Sequence, residues 1–309
     1  MKEKTLIWGL DKDYYDNRGW IESNYNPTAY FDSNIYKLPS ENGITKAELP
    51  YRINEFDKIL ISADPPAIIR ELLDVYKVPV EKIDILFYEL LKKERPEITL
   101  YGENNEDAVL LLLANKLNIP VNEIRYIEIG TNDPVRHNNT FALYEGGARG
   151  ALVDAFPTVG ILAKKVRPED CFINCAVSDV SGENVVFYAC ESSAYSSLNE
   201  AHHKQYVEER PSEVDEILIP LVGINELIKR CDFKPNMLLC DAEGFDEKIV
   251  KGIDYDNTNF AIIMLETGCS DAEKAEMAHF LKNKGFKLFS SVKQNDIYYN
   301  IKYQYRRDK

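Results

Sequence analysis

The sequence predicts an α/β fold: two successive units, each with a mostly parallel sheet. Three observations carry that prediction. Short apolar runs recur and stop abruptly in glycine or acidic residues, as in Tyr126-Ile-Glu-Ile-Gly-Thr-Asn-Asp-Pro134 and Leu239-Cys-Asp-Ala-Glu-Gly-Phe-Asp246. Between such runs, apolar residues fall three and four apart, the helical period. Strands that alternate with helices imply a parallel sheet. Ligands of open α/β sheets bind at the carboxyl ends of the strands, so two acid- and glycine-rich ends point to one cleft suited to a nucleotide-like cofactor.

Composition narrows the class. The chain has 309 residues, 45% of them apolar, enough for two cores and too apolar for disorder. A formal net charge of −14 argues against nucleic acid, whose affinity rests on Lys and Arg neutralising phosphate. The basic tail Arg306-Arg307-Asp308-Lys309 reads as a solvated terminus. No signal-peptide pattern opens the chain, and no apolar run approaches the ~20 residues that span a bilayer. The expectation is a cytoplasmic protein without a membrane span. Cys171, Cys175, Cys190, Cys231, Cys240 and Cys269 form no C-x-x-C pair and read as small buried hydrophobes rather than a zinc or redox site.

Residues 1–100 read as the first unit. Leu6–Gly9 is a strand entering a turn, Thr28–Asp32 a second strand ending in Asp, and Lys58–Ala63 a third, ending at Asp64-Pro65-Pro66. Ile68, Ile69, Leu72, Leu73 and Tyr76 then keep a helical spacing. The segment resembles Rossmann-like modules that sit beside sugar-processing domains. Its phosphate loop is degenerate: Gly9 is followed by Leu-Asp-Lys-Asp-Tyr-Tyr, with no second or third glycine, and Asp11 and Asp13 repel a pyrophosphate. A structural or substrate-recognition role is therefore expected of it. Tyr14, Tyr15, Tyr25, Tyr30 and Tyr195 are candidates to stack on a base or sugar, against the plainer reading of scattered tyrosines.

Ile83–Lys116 reads as helical, and residues 101–120 as a linker whose acidic start, Glu103–Asp107, suits a helix N-terminus. Residues 121–309 restart the alternation. Arg125–Ile129 is strand one, and Asn138–Glu145 begins a helix closed by Gly146-Gly147. Ala151–Asp154 is strand two, Pro157–Lys165 a helix with an early proline, and Cys171–Ala176 strand three. Asn184–Ala189 reads as an added edge strand. Met237–Cys240 and Ala261–Leu265 are strands four and five, Asp271–Lys284 a helix, and Phe286–Phe289 with Ile297–Tyr303 a closing hairpin.

Four pieces of this second unit resemble the FkbM-type S-adenosylmethionine-dependent methyltransferases: Ile127–Pro134 followed by Asn138-Asn-Thr140; Gly150–Pro157; Asn174–Asp179 with Gly182 and Val185–Tyr188; and Leu239–Asp246 with Ile263–Glu266. Their order and spacing carry the match, over about residues 120 to 305. The resemblance implies a Rossmann-like methyltransferase sheet, mostly parallel with an antiparallel hairpin edge, that binds S-adenosyl-L-methionine. One departure is Glu-Ile-Gly-Thr at strand one, where the family commonly has Asp-x-Gly-Ala.

The residues agree with that implication. Gly130 lets the backbone come close, and Glu128, Thr131 and Asn132 are placed to contact the methionine end. Asp154, after strand two, is placed for the ribose hydroxyls, with Ala155 beside it, and Ala176 and Val177 flank the adenine. The plainer alternatives are a satisfied acid at Glu128, a turn glycine at Gly130 and a helix cap at Asp154.

Methyl transfer to a hydroxyl needs alignment and help in losing the proton, from a base that takes it or a metal that acidifies the hydroxyl. Asp241, Glu243, Asp246 and Glu266 are the acidic candidates, with His137 the leading histidine. His202 and His203 lie in a polar segment expected to cover the site, and His279 reads as structural. Two arrangements stay open: Asp241 with Glu266 or Asp133 holding Mg²⁺ or Mn²⁺ through oxygen ligands, or a carboxylate or histidine acting alone. Glu243-Gly244 alternatively shapes the turn into the next helix.

The expected function is O-methylation of a carbohydrate hydroxyl, on a nucleotide sugar or a surface-glycan precursor, by an enzyme needing no nucleic acid partner. The rival readings are a nucleotide-dependent oxidoreductase using the first unit and a non-catalytic sugar- or partner-binding module. Homo-oligomerisation is left open.

Overall fold

A computed structural model of the chain describes residues 3–63, 65–91, 99–190, 196–198, 214–267 and 270–305. The chain divides into two units, Met1–Glu97 and Ile98–Lys309. Tyr195, His202, His203, Cys269 and the basic tail 306–309 lie outside the described residues.

In the first unit, four short apolar runs become β1 (Thr5–Trp8), β2 (Pro27–Phe31), β3 (Lys58–Ile61) and β4 (Ile83–Ile85). They pair parallel in the order β2-β1-β3-β4. β1 is buried at every position, as expected of a parallel strand covered on both faces. The helix Lys12–Asn24 joins β1 to β2 and is capped by Asp11, whose side chain accepts from the amides of Asp13 and Tyr14. Only Tyr14 and Ile21 of this helix are buried. They pack with Ile7, Leu60 and Leu86.

Two expectations are corrected here. The run expected to be helical from Ile83 opens instead with β4, whose Ile83 and Ile85 pair with β3 before the helix Leu86–Leu91 begins. The helix expected around Ile68–Tyr76 is an α-helix over Pro65–Arg70 that widens into a π turn over Glu71–Val75.

The second unit runs, in chain order, through β5 (Arg125–Ile129), β6 (Arg149–Asp154), β7 (Cys171–Asn174), β8 (Ala176–Ser178), β9 (Val185–Cys190), β10 (Val214–Ile219), β11 (Leu221–Gly223), β12 (Met237–Cys240), β13 (Ile262–Glu266), β14 (Phe286–Val292) and β15 (Asn295–Asn300). Seven of these form one sheet, β14-β15-β13-β12-β5-β6-β7. From β7 to β13 neighbours are parallel, while β15 runs antiparallel to β13 and to β14. The expected hairpin edge is thus present.

Side chains alternate between the two faces of this sheet. Ile127, Ile129, Leu238, Cys240, Ile263 and Leu265 join one core cluster, and Tyr126, Met237, Leu239, Ile262 and Met264 the other. The helix Glu106–Lys116, in the segment read as a linker, buries Leu110, Leu113 and Ala114 in that second cluster. The helix Asp271–Asn283 opens with a capping box between Ser270 and Glu273.

Strand three ends sooner than expected, and β9 is not an edge of the main sheet. The Cys175 amide still donates to Asp154, but the next amide, Ala176, donates to the Pro220 carbonyl. The chain leaves the sheet there. β8 pairs with β11, and β9 forms a separate antiparallel ladder with β10. Among the described residues no helix is long and apolar enough to cross a membrane.

Candidate active site

The carboxyl ends of the parallel strands open on a cleft of about 1380 Å³. Single small-molecule sites occupy roughly 300–1,000 Å³, so this cleft has room for a cofactor and an acceptor together. Glu128, Gly130, Thr131, Asn132, His137 and Asp154 line it, as do Ala155, Ala176, Val177, Asp241, Glu243 and Glu266. All the expected site residues thus come together except Asp133.

The floor is set by backbone. Gly130 ends β5 with φ +79°, and a β-carbon there would lie 1.7 Å from the Asp241 carbonyl oxygen. Glycine is needed because the chain beyond β12 crosses directly over it. The Gly130 amide donates to Val153 at 2.9 Å and the Asp241 amide to Ile129 at 3.0 Å, locking the three strand ends together.

Asp154 braces the same edge. Its Oδ2 accepts from the Asn132 amide at 2.8 Å and its Oδ1 from the Phe156 amide at 2.7 Å. Burial pushes its carboxyl up to about 6, against the pull of those two amides. The Asn174 side chain donates to the carbonyls of Asp154 and Ala155, fixing the turn after β6. Phe156 and Phe187 stand edge to face at 6.5 Å and line the cleft with Ala155, Ala176 and Val177. Neither phenylalanine was singled out from sequence, although both stand inside the four matching pieces.

Glu128 is tied into a network that the sequence did not disclose. Its Oε2 accepts from Asn138 at 3.1 Å and Thr140 at 2.8 Å and lies 3.5 Å from Arg167. Arg167 is fully buried. It donates to Asp170, the Pro134 carbonyl, Asn138, the Tyr126 hydroxyl and Thr140. One guanidinium thus anchors both ends of the loop between β5 and the helix Phe141–Glu145. In sequence it looks like one more cation at the end of a helix rich in lysine. Burial pushes the Glu128 carboxyl up while Arg167, Thr140 and Asn138 pull it back.

The second acidic end is a cluster of mutually repelling carboxyls. Burial, then Glu266, Asp246, Glu243 and Glu128, drives Asp241 well above the ordinary carboxylate range. Burial followed by Glu266 and Asp246 raises Glu243 to about 7, and burial followed by Asp246 raises Glu266. Asp246 accepts from the amides of Ala242 and Gly244 and closes the turn that opens the helix Asp246–Lys251. Glu243 is held at φ +46°, followed by Gly244 at +96°. A non-glycine residue in this region is uncommon, and such strain clusters at functional sites. Among the described residues no cation lies within ion-pairing range of Asp241, Glu243 or Glu266, so the cluster suits a positively charged ligand.

His137 lines the cleft from an exposed position with φ +54°. His279 sits on the helix Asp271–Asn283, outside the cleft lining. Asp133 does not join the acids in the metal set expected of it. It is buried, and its Oδ1 accepts from the amides of Val135 and Arg136, shaping the loop. Among the described residues no group of three or more His, Cys, Asp or Glu is placed to hold a metal ion.

An adenosyl cofactor fits this arrangement. Phe156, Phe187, Ala176 and Val177 give the cleft an apolar side, Asp154 offers oxygen acceptors, and the acids beyond Gly130 suit a positively charged group. A seven-stranded sheet of this order with such a cleft defines a Rossmann-like methyltransferase. A family model of the methyltransferase FkbM domain matches residues 128–288, just over half of the chain, and the protein belongs to that family. No curated protein matches its sequence. Family membership implies S-adenosylmethionine as methyl donor.

Proposed function

We propose that the protein transfers a methyl group from S-adenosylmethionine to a hydroxyl of a carbohydrate acceptor, with Glu243 taking the hydroxyl proton. The observation that carries this reading is the carboxyl cluster on the floor of the cleft, beside Gly130. When bound, S-adenosylmethionine supplies an electrophilic methyl carbon on a cationic sulfur.

The chain's own residues divide the rest. Asp154 accepts from the ribose hydroxyls with the oxygen lone pairs that the Asn132 and Phe156 amides leave open. Ala155, Ala176 and Val177 line the adenine side, and the Gly130-Thr131-Asn132 turn faces the methionine end. Glu128 holds the loop that carries those contacts, through Asn138 and Thr140. Asp241 and Glu266 give up their protons more readily beside a sulfonium, whose charge offsets theirs, and they orient the acceptor.

Glu243 is raised to about 7. A base is most effective when its pKa lies near the working pH, and at neutrality a large share of Glu243 is ionised. No metal is needed in this scheme. The polar lining of Asn139, His137, Thr267 and Gln294 suits an acceptor rich in hydroxyls.

The test is a methyl-transfer assay with labelled donor on a panel of glycosides, oligosaccharides and nucleotide sugars, read by mass spectrometry. The expected result is one added methyl on a sugar oxygen, at a rate strongly reduced in Glu243→Gln. Methyl transfer to nitrogen or carbon acceptors with none to sugars would overturn the carbohydrate assignment.

A further inference from the structure

We propose that the first unit holds a second binding site, for the vicinal diol of a phosphate-free sugar ring, built on Asp32 at the carboxyl edge of its sheet. The basis is a hydrogen-bond pattern that occurs twice in the chain. Asp32 directly follows β2. Its Oδ2 accepts from the Leu10 amide at 2.7 Å, and its Oδ1 accepts from the amide two residues on, Asn34, at 2.8 Å. Asp154 makes the same two bonds in the second unit, to Asn132 and to Phe156 two residues on. In both units the bond between distant residues spans 22 positions of sequence, and a glycine of positive φ follows the preceding strand, Gly9 at +98° and Gly130 at +79°.

A carboxylate held this way by two amides keeps a free lone pair on each oxygen. It is the arrangement with which the acid after a second Rossmann strand takes ribose hydroxyls. The topology places it correctly. The order β2-β1-β3-β4 reverses direction at β1, and open α/β sheets bind ligands outside the carboxyl ends at such a switch point. The Ser62 hydroxyl donates to the Gly9 carbonyl at 2.5 Å, holding the turns after β1 and β3 together without a ligand.

The surface near these strand ends favours a sugar. Tyr15 lies in the first turn of the helix that follows β1 and is 55% exposed, while Ile35 and Tyr36 follow Asp32 and are 64% and 95% exposed. Aromatic faces stack on the apolar face of a ring whose hydroxyls point elsewhere. Phosphate is disfavoured. The amides at the start of the helix after β1, which would hold it, are taken by the Asp11 side chain, and Asp13 adds negative charge. Lys37 stands 3.6 Å from Asp32 and is already paired with it. A nucleoside and a simple glycoside share the required chemistry.

Titration calorimetry on the full chain carrying Asp154→Ala, which removes the other candidate diol acceptor, separates them. The ligands are adenosine, 2′-deoxyadenosine, ADP, methyl mannoside and its 2-deoxy analogue. Adenosine or methyl mannoside is expected to bind, and whichever does names the source. Its deoxy analogue is expected to bind about tenfold more weakly, the loss of at least one charge-assisted hydrogen bond. Adding Asp32→Asn is expected to weaken binding by a similar factor. So is adding Tyr36→Ala, at a site too exposed to disturb folding. Binding by none of these ligands, equal binding of the deoxy analogue, tighter binding of ADP than of adenosine, or affinity that survives both added substitutions would each overturn the proposal.

Discussion

Glu243 is where the chemistry is most exposed to test. Its backbone lies at φ +46° and its carboxyl is raised to about 7 by burial and by Glu266 and Asp246. If it takes the acceptor proton, kcat rises with pH through that value as the carboxylate forms. Glu243→Gln keeps the backbone and the shape and removes the proton acceptor. It should lower kcat by about 10²–10⁴-fold, the usual contribution of general base catalysis, and flatten the profile across neutral pH. A pH–rate series on both proteins checks this, and an unchanged acidic limb in the variant assigns the base elsewhere. Asp154 bears on binding instead. A hydrogen bond to a charged group contributes about 1.5–3 kcal/mol, so Asp154→Ala should weaken donor affinity at least roughly tenfold by calorimetry. Unchanged affinity would remove the ribose assignment. These acids were legible in the sequence because each ends an apolar run. Arg167 was not, since only the fold shows that a cation after two lysines is fully buried. Asp133 misled for the same reason: adjacency in sequence gave no sign that its carboxylate caps its own loop.

At the level of elements, strand ends are held in register by close backbone contact, and two glycines separate the causes. A β-carbon at Gly130 would meet the Asp241 carbonyl at 1.7 Å, whereas at Gly244, with φ +96°, it would meet nothing within 4 Å. Gly244→Ala therefore adds only conformational strain, about 1–2 kcal/mol. Gly130→Ala adds the same strain plus a clash that parts β5 from β12, and should cost roughly 2–6 kcal/mol. Urea unfolding of both variants checks the order, and equal losses would mean that the β5–β12 edge yields freely. β12 and β13 were readable because apolar residues run through them almost unbroken, the mark of a strand covered on both faces. Elements lacking that mark were missed. β4 is three residues long, and the helix Lys12–Asn24 buries only Tyr14 and Ile21. β9 was read as an edge because alternation along a strand cannot say which sheet it joins, and its partner β10 lies across the segment 191–213.

For the molecule as a whole, the cleft holds carboxyls that resist ionisation, chiefly because they are buried and secondly because several repel one another, and pH should reveal it. Asp154 is raised to about 6 and Glu243 to about 7, and Asp241, Asp246 and Glu266 shift the same way. A carboxyl raised on folding binds its proton more tightly in the folded chain. Its contribution to stability is complete below the unfolded pKa and is lost as pH rises through the folded value. Glu48, Asp179, Asp254 and Glu273 shift downward and act in the opposite sense, but they lie at the surface, where screening leaves such terms small. The buried set should therefore win, and the ligand-free protein should lose thermal stability between about pH 4 and pH 7. Glu243→Gln removes one raised acid. Relative to the parent it should gain stability as pH rises, on the order of 1–3 kcal/mol by pH 8. S-adenosylmethionine brings a positive sulfur to this cluster and its demethylated product does not, so the donor should raise Tm more than the product does, by a margin that widens with pH. Thermal melts across pH, with each ligand and with none, measure all three effects. A margin that stays constant, or narrows, would mean that the carboxyl cluster does not face the sulfonium.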